Sequence, residues 1–267
     1  MSESTTYAPR PWPFALAAVL VAMLFYSVDG DIMRAVGADA WFDKFRYGWP
    51  LLLNTLDLIV IAVCFRWIGG VGWAQQWDTV GLAKPVAAAT AFAATLFIPA
   101  YAIAWIASGL ADQIGADAIA FGGILFPVFE EVSFRGLAIG VLMMHFRWPF
   151  LMAALLPSFF FGAFHMYQGD GIEESLGIAA ITAFGGVWFG WVYWKWDFNL
   201  WPAIFLHAGL NSAWTLFALG ENAMGGQLGN AIRLGVIVSS IVLTLWGQDW
   251  LRRVLGKNAP ARPAQPA

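Results

Sequence analysis

The sequence predicts an all-α, polytopic membrane protein with about eight transmembrane helices that enclose a polar intramembrane cavity. Of its 267 residues, 60% are hydrophobic and only 12% are charged, whereas soluble domains carry about 25% charged residues. The apolar residues form runs of about 20 residues, the length that crosses a bilayer as a helix. A few carboxylate, imidazole and guanidinium groups interrupt these runs, and such groups usually face a bundle interior or a water-filled cavity.

The eight predicted spans follow one another along the chain. The first begins at Trp12 and is expected to be a membrane helix rather than a removed signal peptide, because no small-residue cleavage site follows it. The fourth is long, and Pro127 predicts either a kink or a division into two pieces. The predicted spans cover residues 12–29, 48–68, 86–108, 117–143, 149–167, 175–194, 199–219 and 229–248.

A single transmembrane domain, residues 1–250, accounts for most of the chain. The Pro- and Ala-rich tail, residues 251–267, is predicted to be cytoplasmic and largely disordered. No internal repeat is visible, which disfavours a transporter built from inverted repeats. The single cysteine, Cys64, excludes an intrachain disulfide and disfavours a cysteine-based metal site.

The distribution of Lys and Arg predicts the orientation. An even number of spans places both termini on one side. If that side is cytoplasmic, nine basic residues lie inside and three outside, in agreement with the positive-inside rule. We therefore expect a multi-pass protein of the plasma (inner) membrane with both termini cytoplasmic. Arg135 and Arg233 fall within spans, and no basic patch indicates nucleic acid as a partner. The inside residues are Arg10, Arg66, Lys84, Arg147, Lys195, Arg252, Arg253, Lys257 and Arg262, and the outside residues are Arg34, Lys44 and Arg46.

The fourth predicted span contains two adjacent carboxylates and an arginine. On a helix, Glu131 and Arg135 are four residues apart and share a face, so they can neutralise each other. Glu130 is rotated about 100° away. We expect Glu131 and Arg135 to form a supporting ion pair, while Glu130 faces a cavity and acts as a base toward water. The alternative is that all three form one structural charge cluster.

Two of the three histidines lie in apolar runs further along the chain. His165 ends the run Phe161-Gly-Ala-Phe-His165, a position that also suits an interfacial residue. His207 and Asn211 are four residues apart and share a helical face, from which they can donate hydrogen bonds to a developing oxyanion. Alternatively, His207 binds a metal, or the pair forms an interhelical hydrogen bond.

Together, the three motifs resemble the CPBP family. Glu-Glu-x-x-x-Arg, Phe-x-x-x-His and His-x-x-x-Asn occur in this order within predicted spans, over about residues 117–219. That family includes CAAX prenyl endopeptidases of the Ras-converting type and proteins linked to bacteriocin processing and self-immunity. The resemblance implies an intramembrane protease whose substrate is a membrane-associated peptide or lipidated protein. Both a prenylated CAAX tail and a leader or sorting peptide fit this description.

The resemblance also implies roles for the motif residues. Glu130 and His165 resemble the pair that activates the attacking water, and His207 and Asn211 resemble the pair that stabilises the oxyanion. The neighbouring glutamate–arginine pair matches the positions that support the site. These roles describe hydrolysis of a peptide bond by water.

The sequence alone does not decide whether a metal takes part in the reaction. The family is often labelled metalloprotease, and Glu130, His165 and His207 can supply three zinc ligands with a fourth position for water. However, no His-Glu-x-x-His helix is present. We therefore favour a metal-free mechanism, and we expect either no cofactor or zinc.

Two other functions are compatible with the sequence. A non-catalytic immunity or partner-binding membrane protein of the same fold is one, although such a protein needs no complete set of base and oxyanion residues. A proton-coupled transporter that uses Glu130 and His165 as a relay is the other, although the lack of repeats counts against it. The sequence does not predict the oligomeric state.

Overall fold

A computed structural model describes residues 10–255, which form helices and the loops between them, without a strand. The last helix includes residues 251–255 of the predicted tail, and residues 256–267 lie outside the described part. The all-α prediction is confirmed. In chain order the helices are α1 (Trp12–Tyr26), α2 (Asp29–Ala35), α3 (Asp39–Phe42), α4 (Gly48–Trp67), α5 (Trp73–Val80), α6 (Ala87–Ser108), α7 (116–144), α8 (Phe150–Phe164), α9 (Ile172–Lys195), α10 (Trp201–Phe217) and α11 (227–255).

Each predicted span contains a helix, but the helices differ in length. α1 has 15 residues and α10 has 17, fewer than the roughly 20 that cross a bilayer. Counting α1 and α2 together, which are bent by 51°, gives a sixth candidate span. The multi-pass membrane fold is confirmed, whereas the number of eight spans stays a prediction. Within residues 10–255, five segments are long and apolar enough to cross a membrane: Gly48–Trp67, Ala87–Ser108, Phe150–Gln168, Ile172–Lys195 and Gln227–Leu251.

Helix α7 lies at the centre of the fold. It is helical without interruption from residue 116 to residue 144, and all residues from 133 to 143 are buried. Two stretches of it, Ile119–Leu125 and Glu131–Ile139, are π-helical, a form that is frequent at functional sites. The predicted division into two pieces is wrong. Pro127 lies inside this continuous helix, between the two π-helical stretches, and its missing N–H leaves a carbonyl of the preceding turn without a helical donor.

Helices α4, α5, α8, α9 and α10 pack around α7. Two glycines on α7 allow this close approach. A Cβ atom at Gly136 would lie 3.2 Å from the side chain of Val80 on α5, and one at Gly140 would lie 2.6 Å from the Tyr193 hydroxyl on α9. That hydroxyl donates a hydrogen bond to the backbone carbonyl of Thr79. Small residues that bring helix backbones together are typical of membrane proteins, and here they fix the helix that carries Glu130 and Glu131.

Hydrogen bonds define two ends of the helix bundle. At one end, the Arg10 amide donates to Gly69, and the Asn199 side chain donates to Pro85. At the other end, the Asn222 side chain donates to Glu174. Among the residues whose side chains the structure describes, the first end has six basic and three acidic residues; we call it the basic end, and it contains Arg10, Arg66, Lys84, Arg147, Lys195, Arg253, Asp78, Asp197 and Asp249. The second has three basic and nine acidic residues; we call it the acidic end, and it contains Arg34, Lys44, Arg46, Asp31, Asp39, Asp43, Asp112, Asp117, Asp170, Glu173, Glu174 and Glu221.

Candidate active site

Four polar side chains from three helices line one cavity of about 660 Å³. Glu130 comes from α7, His165 follows the last residue of α8, and His207 and Asn211 lie one turn apart on α10. The convergence that the three motifs predict is therefore present. The cavity also contacts the loop residues 221–223, so it lies in the half of the bundle next to the acidic end.

Glu131 and Arg135 lie behind the cavity wall. Both side chains are buried, and Arg135 Nη1 lies 3.1 Å from Glu131 Oε1. This contact is an ion pair without a hydrogen bond. Among residues 10–255, neither Arg135 Nη1 nor Glu131 Oε2 has a hydrogen-bond partner. The Arg135 Cζ atom lies 4.4 Å from the ring centre of Phe161 and 5.4 Å from that of Phe189. These two rings stabilise the buried cation through their π faces.

His207 connects this buried pair to the cavity. Its Nδ1 lies 2.8 Å from Glu131 Oε1, and its Nε2 lies 3.6 Å from Glu130 Oε2. Because a carboxylate that is ionised in an ion pair only accepts hydrogen bonds, the Nδ1 atom carries a hydrogen and donates it to Glu131. The Nε2 atom then faces Glu130, whose side chain is 22% exposed. Glu131 thus orients His207 in addition to pairing with Arg135.

The imidazole of His165 is fixed by its own motif. Its Nδ1 lies 2.7 Å from the backbone carbonyl oxygen of Phe161, which only accepts, so Nδ1 is the donor. The ring centres of Phe161 and His165 are 4.5 Å apart. In the neutral ring, Nε2 therefore keeps a lone pair that can accept a proton or a hydrogen bond. The Phe-x-x-x-His spacing has a structural reason: Phe161 contributes both its carbonyl and its ring to the position of the histidine.

Asn211 is oriented by the first π-helical stretch of α7. Its Nδ2 donates a hydrogen bond to the carbonyl oxygen of Gly122, at 3.1 Å. An amide nitrogen has two hydrogens, so one remains for a ligand. Both residues line the cavity. The arrangement places an N–H donor one helical turn from His207 on the same wall.

Glu130, His165 and His207, the candidate zinc ligands, are not arranged as a three-ligand metal site in this structure. Among residues 10–255, no group of three His, Cys, Asp or Glu side chains is arranged to hold a metal ion. The Nδ1 atoms of His165 and His207 are engaged by Phe161 and by Glu131. Only one nitrogen of each ring is therefore open toward Glu130 and the cavity.

The cavity contains further polar residues that the motifs do not include. Asn222, Asn230 and Arg233 line its wall on the side of the acidic end. A signal for Arg233 is present in the sequence, because it is a charged residue inside an apolar span, and such residues usually mark a function. Asn222 and Asn230 have no comparable signal, since polar residues near the end of a span are common.

Comparison with known proteins agrees with the motifs. Residues 114–213 match the family described as Type II CAAX prenyl endopeptidase Rce1-like. No curated protein and no solved structure gives a significant match. The matched segment covers α7, α8, α9 and most of α10, the helices that supply all four cavity residues. Residues 114–213 thus resemble the Rce1-like type II CAAX prenyl endopeptidases, and the resemblance to the CPBP family that the three motifs predict is confirmed over this segment.

Proposed function

We propose that this protein is an intramembrane endopeptidase in which Glu130, assisted by His165, activates a water molecule, without a metal. One observation carries the proposal: Glu130, His165, His207 and Asn211, which come from three helices, line a single cavity within an apolar helix bundle. The family match supports peptidase chemistry. The residues that line the cavity include a base, a second proton acceptor and hydrogen-bond donors.

The first step is attack by water on a peptide carbonyl. Glu130 and the Nε2 atom of His165 accept hydrogen bonds from the water and hold it in the cavity. As the water oxygen bonds to the carbonyl carbon, a proton passes to Glu130. General-base catalysis of this kind contributes about 10²- to 10⁴-fold to a rate.

The second step is stabilisation of the tetrahedral intermediate. Its oxyanion accepts hydrogen bonds from Asn211 Nδ2 and from His207 Nε2. For Nε2 to donate, the His207 ring carries both hydrogens, because Nδ1 already donates to Glu131. An imidazolium also balances the charges: before the attack Arg135 and His207 neutralise Glu130 and Glu131, and once Glu130 has taken the proton they neutralise Glu131 and the oxyanion. The intermediate collapses when the C–N bond breaks and Glu130 returns its proton to the leaving amine.

The wall of the cavity favours a membrane-associated substrate. Beside the polar groups it is lined by large apolar side chains, among them Phe126, Phe184, Trp188 and Leu210. Such a wall accommodates an apolar peptide or a lipid chain next to the bond to be cleaved. The two substrate classes in question are a prenylated CAAX tail and a leader or sorting peptide.

The orientation in the membrane distinguishes these two classes. The charges of the two ends favour a cytoplasmic basic end, which places the cavity next to the non-cytoplasmic acidic end. A leader or sorting peptide that arrives from that side fits this orientation. A prenylated tail on the cytoplasmic side requires the reverse orientation.

Labelling of single cysteines measures the orientation. In a Cys64→Ala background, we expect a membrane-impermeant maleimide on intact cells to label Glu221→Cys at the acidic end and not Asp78→Cys at the basic end. Both positions are exposed on the protein surface, so a difference in labelling reports the side of the membrane and not burial of the cysteine. The reverse pattern would place the cavity on the cytoplasmic side and favour the prenylated tail.

A paired assay in proteoliposomes separates the peptidase from the transporter. We expect the wild-type protein to cleave a membrane-anchored, lipidated peptide, detected by mass spectrometry, and to leave the rate of proton flux equal to that of empty liposomes. Proton flux that depends on Glu130, without cleavage, would identify a transporter. Neither activity, over a panel of lipidated tails and leader peptides, would favour a non-catalytic protein.

A further inference from the structure

A second polar cluster lies in the cavity, formed by Arg233 of α11 and the loop 218–226. The Arg233 Cζ atom lies 4.6 Å from the ring centre of Trp214, and Nη2 donates to the carbonyl oxygen of Ala223 at 2.7 Å. Among residues 10–255, no Asp or Glu oxygen lies within 4.0 Å of this guanidinium. Arg233 is thus a half-buried cation in a cavity wall that makes no direct ion pair with a described carboxylate, although Glu221 lines the same cavity.

The surroundings hold this guanidinium in place. Gly225 has a φ of 68°, which favours glycine. A Cβ atom there would lie 2.8 Å from the ring of Trp214 and 3.2 Å from Arg233 Nη2. The Trp214 indole also donates to the carbonyl oxygen of Asn222 at 3.2 Å. The loop, the tryptophan and the arginine therefore pack as one unit. A guanidinium has five N–H donors, so most of them remain for a ligand.

The spacing along α10 relates this cluster to the candidate active site. His207, Asn211 and Trp214 lie on α10 at spacings of four and three residues, so they share a face of the helix, and all three line the cavity. The seven residues from His207 to Trp214 correspond to about 10 Å along the helix axis. An extended peptide covers about 10 Å with three residues.

We propose that Arg233 binds the free terminal carboxylate of a peptide substrate whose cleaved bond lies about three residues before its end. This proposal rests on the peptidase function proposed above. The planar guanidinium matches a carboxylate with two parallel hydrogen bonds, and a chain terminus is a source of carboxylate in a peptide of any sequence. Arg233 would then select substrates by the position of their end.

Binding of matched peptides tests the proposal independently of cleavage. The full chain in detergent, with Glu130→Gln to keep the peptide intact, is titrated with one fluorescent lipidated peptide in two forms, with a terminal carboxylate and with a terminal amide. We expect the carboxylate form to bind at least about tenfold more tightly, as for a charge-assisted hydrogen bond. Arg233→Gln should remove this preference by weakening only the carboxylate form, and Arg233→Lys should retain part of it.

Arg34→Gln is the matched control. Arg34 also stacks on a tryptophan, with its Cζ atom 5.1 Å from the ring centre of Trp49, but it lies outside the cavity and should leave the preference unchanged. Equal binding of the two peptide forms, or a preference that Arg233→Gln does not alter, overturns the proposal. An Arg233→Gln variant that changes only binding of anionic lipid would assign the residue to a headgroup and also overturn it.

The two proposals can fail separately. Loss of the carboxylate preference in Arg233→Gln, together with no cleavage by the wild-type protein, would reject the peptidase function while supporting the carboxylate site. Cleavage at equal rates of the carboxylate and amide forms, by both the wild-type protein and Arg233→Gln, would support the peptidase and reject the carboxylate site.

Discussion

Replacement of Glu130 by Gln is expected to lower the rate of peptide cleavage by about 10²- to 10⁴-fold, the range contributed by a general base. Gln has nearly the same shape as Glu but does not accept the proton of the attacking water. Glu130 is 22% exposed and makes its nearest charged contact at 3.6 Å, to His207, so the fold should tolerate the change. The rate is measured on a lipidated peptide by mass spectrometry, with the thermal unfolding midpoint measured on the same preparation.

Glu173→Gln is the control for this variant. Glu173 is an exposed carboxylate in the first turn of α9, and it does not line the cavity, so its replacement should leave the cleavage rate unchanged. A Glu130→Gln protein that folds normally and cleaves at the wild-type rate would show that another group activates the water. Loss of cleavage together with a lowered unfolding midpoint would instead indicate damage to the fold.

Replacement of Arg135 by Met is expected to destabilise the protein by roughly 3–5 kcal/mol, because it removes the arginine that is paired with the buried charge of Glu131. Both side chains of this pair are at most 1% exposed. The free energy of unfolding in detergent measures the loss. Arg46→Met provides the comparison: Arg46 Nη1 lies 2.9 Å from Asp117 Oδ2, but the side chains are 69% and 43% exposed. Exposed pairs contribute only about 0–1 kcal/mol.

A double variant separates stability from chemistry. Glu131→Gln removes the unpaired charge, so Glu131→Gln combined with Arg135→Met should unfold at a higher temperature than Arg135→Met alone. Cleavage should stay low, because a neutral Gln no longer stabilises the protonated His207 ring. If the double variant is no more stable than Arg135→Met, the buried ion pair does not account for the destabilisation. If Arg135→Met is as stable as Arg46→Met, the pair contributes little to the fold.

Contacts within one helix were accessible from the sequence. The four-residue spacing predicts the ion pair of Glu131 and Arg135, and the rotation between neighbours predicts that Glu130 faces another way. Helical periodicity also places His207 and Asn211 on one face. The prediction that the three helices converge depended on the combination of the three motifs, because the periodicity of one helix does not indicate which other helices it contacts.

Contacts between helices could not be predicted from the sequence in this way. The hydrogen bond from His207 to Glu131 joins residues 76 positions apart, and no local pattern encodes it. No residue pattern distinguished the π-helical stretches of α7 from ordinary α-helix. The packing of Arg233 against Trp214 and Gly225 depends on how the loop 218–226 folds back onto α11.

Helix ends were predicted less well than helix centres. Helix α9 begins at Ile172 rather than at residue 175, since Glu173 and Glu174 in its first turn are stabilised by the helix dipole, although hydropathy assigns them to a loop. Helix α11 continues to residue 255, beyond the predicted end at 248, as a segment that carries Asp249 and Arg253. Apolar composition marks the part of a helix inside the membrane and not its polar extensions.

Mass spectrometry of the products formed in ¹⁸O-labelled water by wild-type protein stripped of metals tests whether side chains alone activate water in this cavity. We predict that the chelated protein, with its metal content measured, cleaves the lipidated peptide at one bond and places one ¹⁸O atom in the new carboxyl group. An intact peptide, with cleavage restored by zinc alone, would contradict the mechanism proposed for Glu130 and His165.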